Sequence, residues 1–412
     1  MKQFLKFAYS AQGSNHIRDG KVCQDASAAY EDEQMSIVAV ADGHGSDNYP
    51  RTDRGSKFAV EAAQYAIEEF VKAVHQDEID VFAEQETRMH DLELNILGRW
   101  HECVEDDLSA HPFEETELVK VSEKYRKVYQ SEKERSRWKK AYGTTLIAVC
   151  ATADYWFGLQ IGDGKCFAIT EDSECTEPIP WDENCQANIT TSICDSDAID
   201  EFRFFCVRKF PLAVFIGSDG VDDSYAGEEE LLDLYRTIFC VFAEKGPVIG
   251  TNEIKDFLPT MSQKGSGDDV SMAGLIRSGI QPEIIGLVRC RQEYNAAHRE
   301  VRRLERELAV VREKRDALRN IAPDESIAER RRQFEAEYEG LLSTQQKAEK
   351  VLKDAKHRLE TAIALFRQAE EREMIPQKRL PSADNRRRKK KRPKRSGKKM
   401  NWSKRHKKRR KK

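Results

Sequence analysis

The 412-residue chain has no apolar run long enough to cross a bilayer, and it opens on MKQFLKFAYSAQGSNH without the uninterrupted apolar stretch of a signal peptide. Its ten cysteines are scattered, none at the close spacing of a zinc site or a thioredoxin-like redox pair. Reduced thiols in a cytoplasmic compartment are therefore expected, with no membrane span. Equally absent are a Gly-rich phosphate loop of the Walker type, a His-Glu-x-x-His zinc motif and a Gly-x-Ser-x-Gly nucleophile elbow.

Charge is plentiful, at 34% Asp, Glu, Lys and Arg, and the formal net charge of -3 conceals a segregation. Between Pro376 and Lys412 there are 21 Lys and Arg against one acid, Asp384, which leaves the remainder at -23. An acidic folded body with a basic arm for polyanions is the implied arrangement. The length predicts at least two structural units.

Short runs rich in β-branched and aromatic residues predict strands at 36–41, 142–149, 155–161, 166–169, 202–207, 213–217 and 270–276. Apolar residues three and four apart predict helix over 54–75, and helix continues over about 88–140 with a break at His111-Pro112. Because the helices lie between groups of strands, α+β layering of antiparallel sheets is expected instead of a doubly wound parallel sheet. The polar stretch 171–200 predicts a mobile surface loop.

After Pro282 a seven-residue series runs through Leu287, Tyr294, Val301 and Leu308, with Cys290, Ala297, Leu304, Val311 and Leu318 three places on. A second series holds Ile327, Phe334, Leu341, Ala348, Ala355, Ala362 and Ala369, partnered by Tyr338, Leu352, Leu359 and Phe366. The Asn320–Asp324 turn between them, with its proline, predicts an antiparallel helical hairpin; two arms of an intermolecular coil are the alternative. The divisions follow as 1–280, 281–375 and 376–412, the last a disordered Lys/Arg-rich tail.

Five carboxylate-bearing loops follow or interrupt apolar strands: Gln24-Asp25, Asp42-Gly43-His44-Gly45, Gly162-Asp163-Gly164, Ser218-Asp219-Gly220 and Gly267-Asp268-Asp269. Any one alone is an ordinary surface turn. Together they supply the oxygen ligands that hard cations such as Mg²⁺ and Mn²⁺ prefer, with glycines that let backbone carbonyls come close.

In order, spacing and flanks these loops, with Tyr142-Gly143-Thr144-Thr145, resemble the motifs of the type 2C metal-dependent protein phosphatases over residues 8–278, and Gly13-Ser14-Asn15-His16 with Gln24-Asp25 resembles a bacterial branch. The resemblance implies a four-layer α/β/β/α sandwich with two Mn²⁺ or Mg²⁺ ions at one end of the sheets. It assigns Asp42 to bridge the metals, the Gly43 carbonyl to one, Asp219 and Asp268 to the other, Asp25 to metal-bound water and Asp163 to a third, weaker ion. A metal-bridging hydroxide would attack phosphorus directly, with His44 protonating the seryl or threonyl oxygen. The sequence departs from the family pattern in carrying Gln24 where many members have Glu, and Gly20 where a phosphate-binding Arg is usual; Arg18 is the nearest candidate for that role, with a solvated loop cation as its plain alternative.

The implied function is hydrolysis of phosphoserine and phosphothreonine in proteins phosphorylated by a serine/threonine kinase. The competing expectation is a weakly active scaffold that binds partners through the hairpin and nucleic acid or another polyanion through the tail.

Overall fold

The computed structural model describes residues 4–185, 189–317 and 325–374. The turn at 320–324 and the basic segment 376–412 lie outside the described residues, as do 186–188 within the 171–200 stretch. Phe4 to Arg367 belong to one compact unit; beyond it, described residues 368–374 finish the last helix.

In chain order the elements are β1 (Phe4–Ala11), α1 (Ser14–Asp19), β2 (Ala26–Glu31), β3 (Met35–Ala41), α2 (Thr52–Gln76), α3 (Gln85–Ala110), α4 (Glu123–Tyr129), β4 (Leu146–Thr152), β5 (Trp156–Ile161), β6 (Lys165–Ile169), β7 (Cys175–Thr176), α5 (Ala198–Glu201), β8 (Arg203–Val207), β9 (Ala213–Gly217), α6 (Asp219–Asp222), α7 (Glu228–Lys264), β10 (Val270–Arg277), α8 (Pro282–Ala317) and α9 (Glu325–Met374). Two five-stranded sheets result, β1-β10-β9-β6-β7 and β2-β3-β4-β5-β8, antiparallel throughout.

Strand periodicity explains the layering. Along β3, Val38 and Val40 face the other sheet, where they meet Val214, Ile216, Ala273 and Leu275; Ile37, Ala39 and Ala41 face the opposite way, into the core shared with α2 and α3. On the other sheet, Met272 and Ile276 of β10 turn outward to Tyr235, Phe239 and Phe242 of α7. β3 is buried along its whole length because both of its faces are covered. The α/β/β/α sandwich is thus the observed architecture.

α8 continues from β10 and packs on α7 through Ile284, Ile285 and Val288, reinforced by Arg289–Glu244 and Arg299–Asp233 ion pairs, each at 2.6 Å. α9 returns antiparallel to α8. Glu293 meets Arg358 at 2.8 Å, while farther along α8 Arg315 meets Glu335 at 3.5 Å and lies over the Tyr338 ring. The seam between them buries Val301, Leu304, Leu308, Val311, Ala355 and Leu359, members of the two heptad series.

Several segments differ from the sequence reading: β1 and β2 were not anticipated, and the strand expected over 142–149 begins only at Leu146. The 171–200 stretch is pinned in its described parts: Ile179, Ile193, Cys194 and Ala198 enter the core, and buried Asp182 accepts the Thr191 hydroxyl at 2.8 Å. Its apolar anchors are isolated in sequence and so carry no period. Helix α7, not anticipated, contains Pro247 and Pro259 and is kinked at Gly246, where φ is 81°.

Buried Glu93 of α3 creates a pH liability. It is 4% exposed, its Oε1 has no hydrogen-bond partner, and burial pushes its carboxyl up to about 7. The folded chain therefore retains a proton there that the unfolded chain releases near pH 4 to 5, so stability is lost as pH rises from about 4.5 to about 7. Glu93→Gln is expected to stabilise the protein by on the order of 2 kcal/mol at pH 8 and to leave it unchanged near pH 4; urea melts at the two pH values test this.

Candidate active site

The aspartate-bearing loops converge at one end of the two sheets. β3 delivers Asp42, β9 delivers Ser218 and Asp219, β5 leads to Asp163, and the turn before β10 holds Asp268 and Asp269. The carboxyls of Asp42 and Asp219 come within hydrogen-bonding reach of each other, and Asp25 and Asp268 add their charge to the same place. Burial, then repulsion from Asp25 and Asp219, holds the Asp42 carboxyl well above the usual carboxylate range. Burial and the neighbouring Asp269 push Asp25 up to about 7 even though Ser218 donates to its Oδ2 at 2.9 Å. Asp163 and Asp268 are raised too, by burial first and by Asp219.

Backbone contacts fix the Asp42 loop. The Asp42 carbonyl accepts the Thr145 N–H at 2.8 Å and the Thr144 hydroxyl at 2.7 Å, and the His44 N–H donates to the Gly143 carbonyl at 3.1 Å. A Cβ on Gly43 would collide with Thr52 Oγ1 and the Gln24 carbonyl, so only glycine allows this approach. The His44 ring lies edge-on to Tyr49, at 4.7 Å between centroids, and burial lowers its pKa to about 4. Burial also pushes the nearby Cys23 thiol up to about 12, far from the thiolate a cysteine nucleophile requires.

The sequence reading missed two supports. Asp269 accepts the Gly13 N–H and the Gln24 N–H, both at 2.6 Å, and lies 2.9 Å from His16 Nδ1; these contacts hold its carboxyl low against the opposing effect of burial. It thereby joins the loop before Asp25 to the loop carrying Asp268. Arg51 is the second. Only 2% exposed, it grips Glu117 with two bonds of 2.8 Å, donates to the Tyr142 hydroxyl and the His111 carbonyl at 2.7 Å, and lies over the Phe113 ring. The doubled aspartate was a visible signal for the first; nothing around Arg51 in the sequence separates it from a surface arginine. Arg18 is not brought to the carboxylates: its side chain is 68% exposed and donates to Asp19 and Asn15, each at 3.0 Å.

Among the described residues, no three His, Cys, Asp or Glu side chains are arranged to hold a metal ion as they stand. The donor set nonetheless fits hard divalent cations in kind. Its side-chain donors are oxygens, its carboxylates repel one another in a way that a cation would relieve, and Gln24 Oε1 is a buried oxygen with no hydrogen-bond partner.

The sequence profile of the protein phosphatase 2C family matches residues 12–259, more than half of the chain. The chain belongs to this family of divalent-metal-dependent enzymes and is a protein-serine/threonine phosphatase. Among solved structures, the serine/threonine phosphatase Stp1 from Staphylococcus aureus is 13% identical with a TM-score of 0.42, covering 67% of this chain and 96% of its own. PppA, described as a key regulatory component of T6SS in Pseudomonas aeruginosa, is 15% identical with a TM-score of 0.41, covering 66% and 97%. The catalytic domain of PstP in complex with two manganese ions is 13% identical with a TM-score of 0.38, again covering 66% and 97%. No curated protein sequence matches.

Proposed function

We propose that this phosphatase hydrolyses phosphoserine and phosphothreonine in kinase-phosphorylated proteins by direct attack of water on phosphorus. The observation that carries this is the meeting of Asp42 and Asp219, 177 positions apart in the chain, with Asp25 and Asp268 beside them. Asp42, the Gly43 carbonyl, Asp219 and Asp268 would hold two Mn²⁺ or Mg²⁺ ions, and Asp163 a weaker third. When bound, these ions supply positive charge and acidify water near neutral pH.

The chain's own groups do the positioning. Asp25, itself oriented by Ser218, accepts a hydrogen bond from the attacking water; Gln24 Oε1 offers a second acceptor without charge. His44 is neutral at rest, so a proton delivered to the leaving seryl or threonyl oxygen is one it gains within the cycle. Arg18 must release Asp19 before it can bind a substrate phosphate.

Residues 1–280 carry this chemistry, 281–375 form an arm for a protein partner, and the basic segment 376–412 binds nucleic acid or another polyanion through salt-sensitive contacts. Ten free thiols fit a reducing cytoplasm. The uncharged Gln24 favours the second reading, a weakly active scaffold.

The test is hydrolysis of a phosphothreonine peptide with Mn²⁺, with and without EDTA, by wild type and Asp219→Ala. Turnover that needs the metal and disappears in the variant supports the enzyme; no turnover with any divalent metal leaves the scaffold.

A further inference from the structure

The segment between β1 and β2 forms one rim of the site and exposes two β-branched apolar side chains, Ile17 at 64% and Val22 at 60%. A single exposed apolar residue calls for no explanation. These two differ because the backbone that carries them is pinned on every side. The Asn15 N–H donates to the Gly267 carbonyl at 2.9 Å, and the Ser14 N–H to Ser262 Oγ at 3.1 Å. The Lys21 N–H donates to the His16 carbonyl at 2.9 Å, and Gln12 Nε2 to the Lys21 carbonyl at 2.5 Å.

The same segment reaches the catalytic loop directly. Lys21 Nζ donates to the Gly45 carbonyl at 3.1 Å, one residue beyond His44, and His16 Nε2 is 3.7 Å from Asp268 Oδ1. Val22 follows that lysine, and Ile17 follows that histidine. Two stiff apolar groups are thus exposed to water on a segment whose adjoining residues, Lys21 and His16, reach Gly45 and Asp268. Such a surface loses little conformational freedom on binding and rewards an apolar contact.

We propose that Ile17 and Val22 form a docking ridge for the substrate polypeptide, selecting phosphoserine or phosphothreonine sites with a large aliphatic residue a few positions from the phosphorylated one. Continuity with the catalytic loop argues for this occupant. The inference rests on the phosphatase reading and adds a sequence preference to it.

The experiment compares full-length wild type with Ile17→Ser/Val22→Ser on three substrates: a phosphothreonine peptide with flanking leucines, the same peptide with serines in their place, and a small aryl phosphate. Wild type is expected to favour the leucine peptide about tenfold or more in kcat/KM, the double variant to favour neither, and aryl phosphate turnover and melting temperature to stay unchanged. Undiminished leucine preference in the variant overturns the ridge, as does equal loss on all three substrates. If wild type hydrolyses none of them, the phosphatase reading fails and this inference with it.

Discussion

Asp42→Asn is expected to lower Mn²⁺-dependent phosphopeptide hydrolysis by about 10³-fold or more while raising the melting temperature of the metal-free protein by roughly 2–5 °C. The two effects share one cause. Asp42 is half-buried beside Asp25, Asp219 and Asp268, and without cations its charge opposes theirs. An amide of the same shape removes that repulsion and can still donate to Asp219. The wild-type gain in melting temperature on adding Mn²⁺ should shrink in the variant, because a carboxylate that would hold the cations is replaced by an uncharged amide. Thermal melts with and without Mn²⁺ check this independently of turnover. A fall in the metal-free melting temperature would mean that Asp42 serves folding through some bond other than those described.

Arg51→Met is expected to cost about 3–5 kcal/mol of stability, the usual result of removing one member of a buried ion pair. Glu117 loses two bonds, Asp107 a cation 3.5 Å away, and the Tyr142 hydroxyl and His111 carbonyl a donor each. Activity should fall as well. The Arg51 guanidinium holds the Tyr142 hydroxyl, and the carbonyl of the next residue, Gly143, accepts both the His44 N–H and the Thr52 hydroxyl. Urea melts of Arg51→Met, Glu117→Gln and the double variant provide the measurement. The double variant should recover part of the loss, since an amide in place of the Glu117 carboxylate leaves no naked charge. A cost below about 1 kcal/mol for Arg51→Met would show that solvent replaces the guanidinium.

Much of the sandwich was legible because β3 and β10 are covered on both faces and read as apolar runs with a single serine near the start of each, and because the heptads of α8 and α9 repeat without interruption. Helix α7 was not legible: Gly246, Pro247 and Pro259 mask a periodicity that tertiary packing restores. Three of the loops that meet at the site were legible from Asp-Gly pairs placed after strands, and the other two from aspartates at the entry to β2 and β10. Their supports were less so, since the value of Asp269 lies in what crosses to it, Gly13 and Gln24 from the other end of the domain. For Arg51, partners at 107, 111, 117 and 142 are brought together only by the fold.

The pairing of β1 with β10 has a consequence for synthesis on the ribosome. Ala11 lies opposite Val270, and the Gly13 N–H is bonded to Asp269, so β1 is without its sheet partner until β10 has been made. A nascent chain that stops short of β10 holds Asp25 and Asp42 but neither Asp268 nor the strand that seats it. A polypeptide that ends before β10 is therefore expected to be silent, whereas one that ends within α8 or α9 keeps every strand of both sheets.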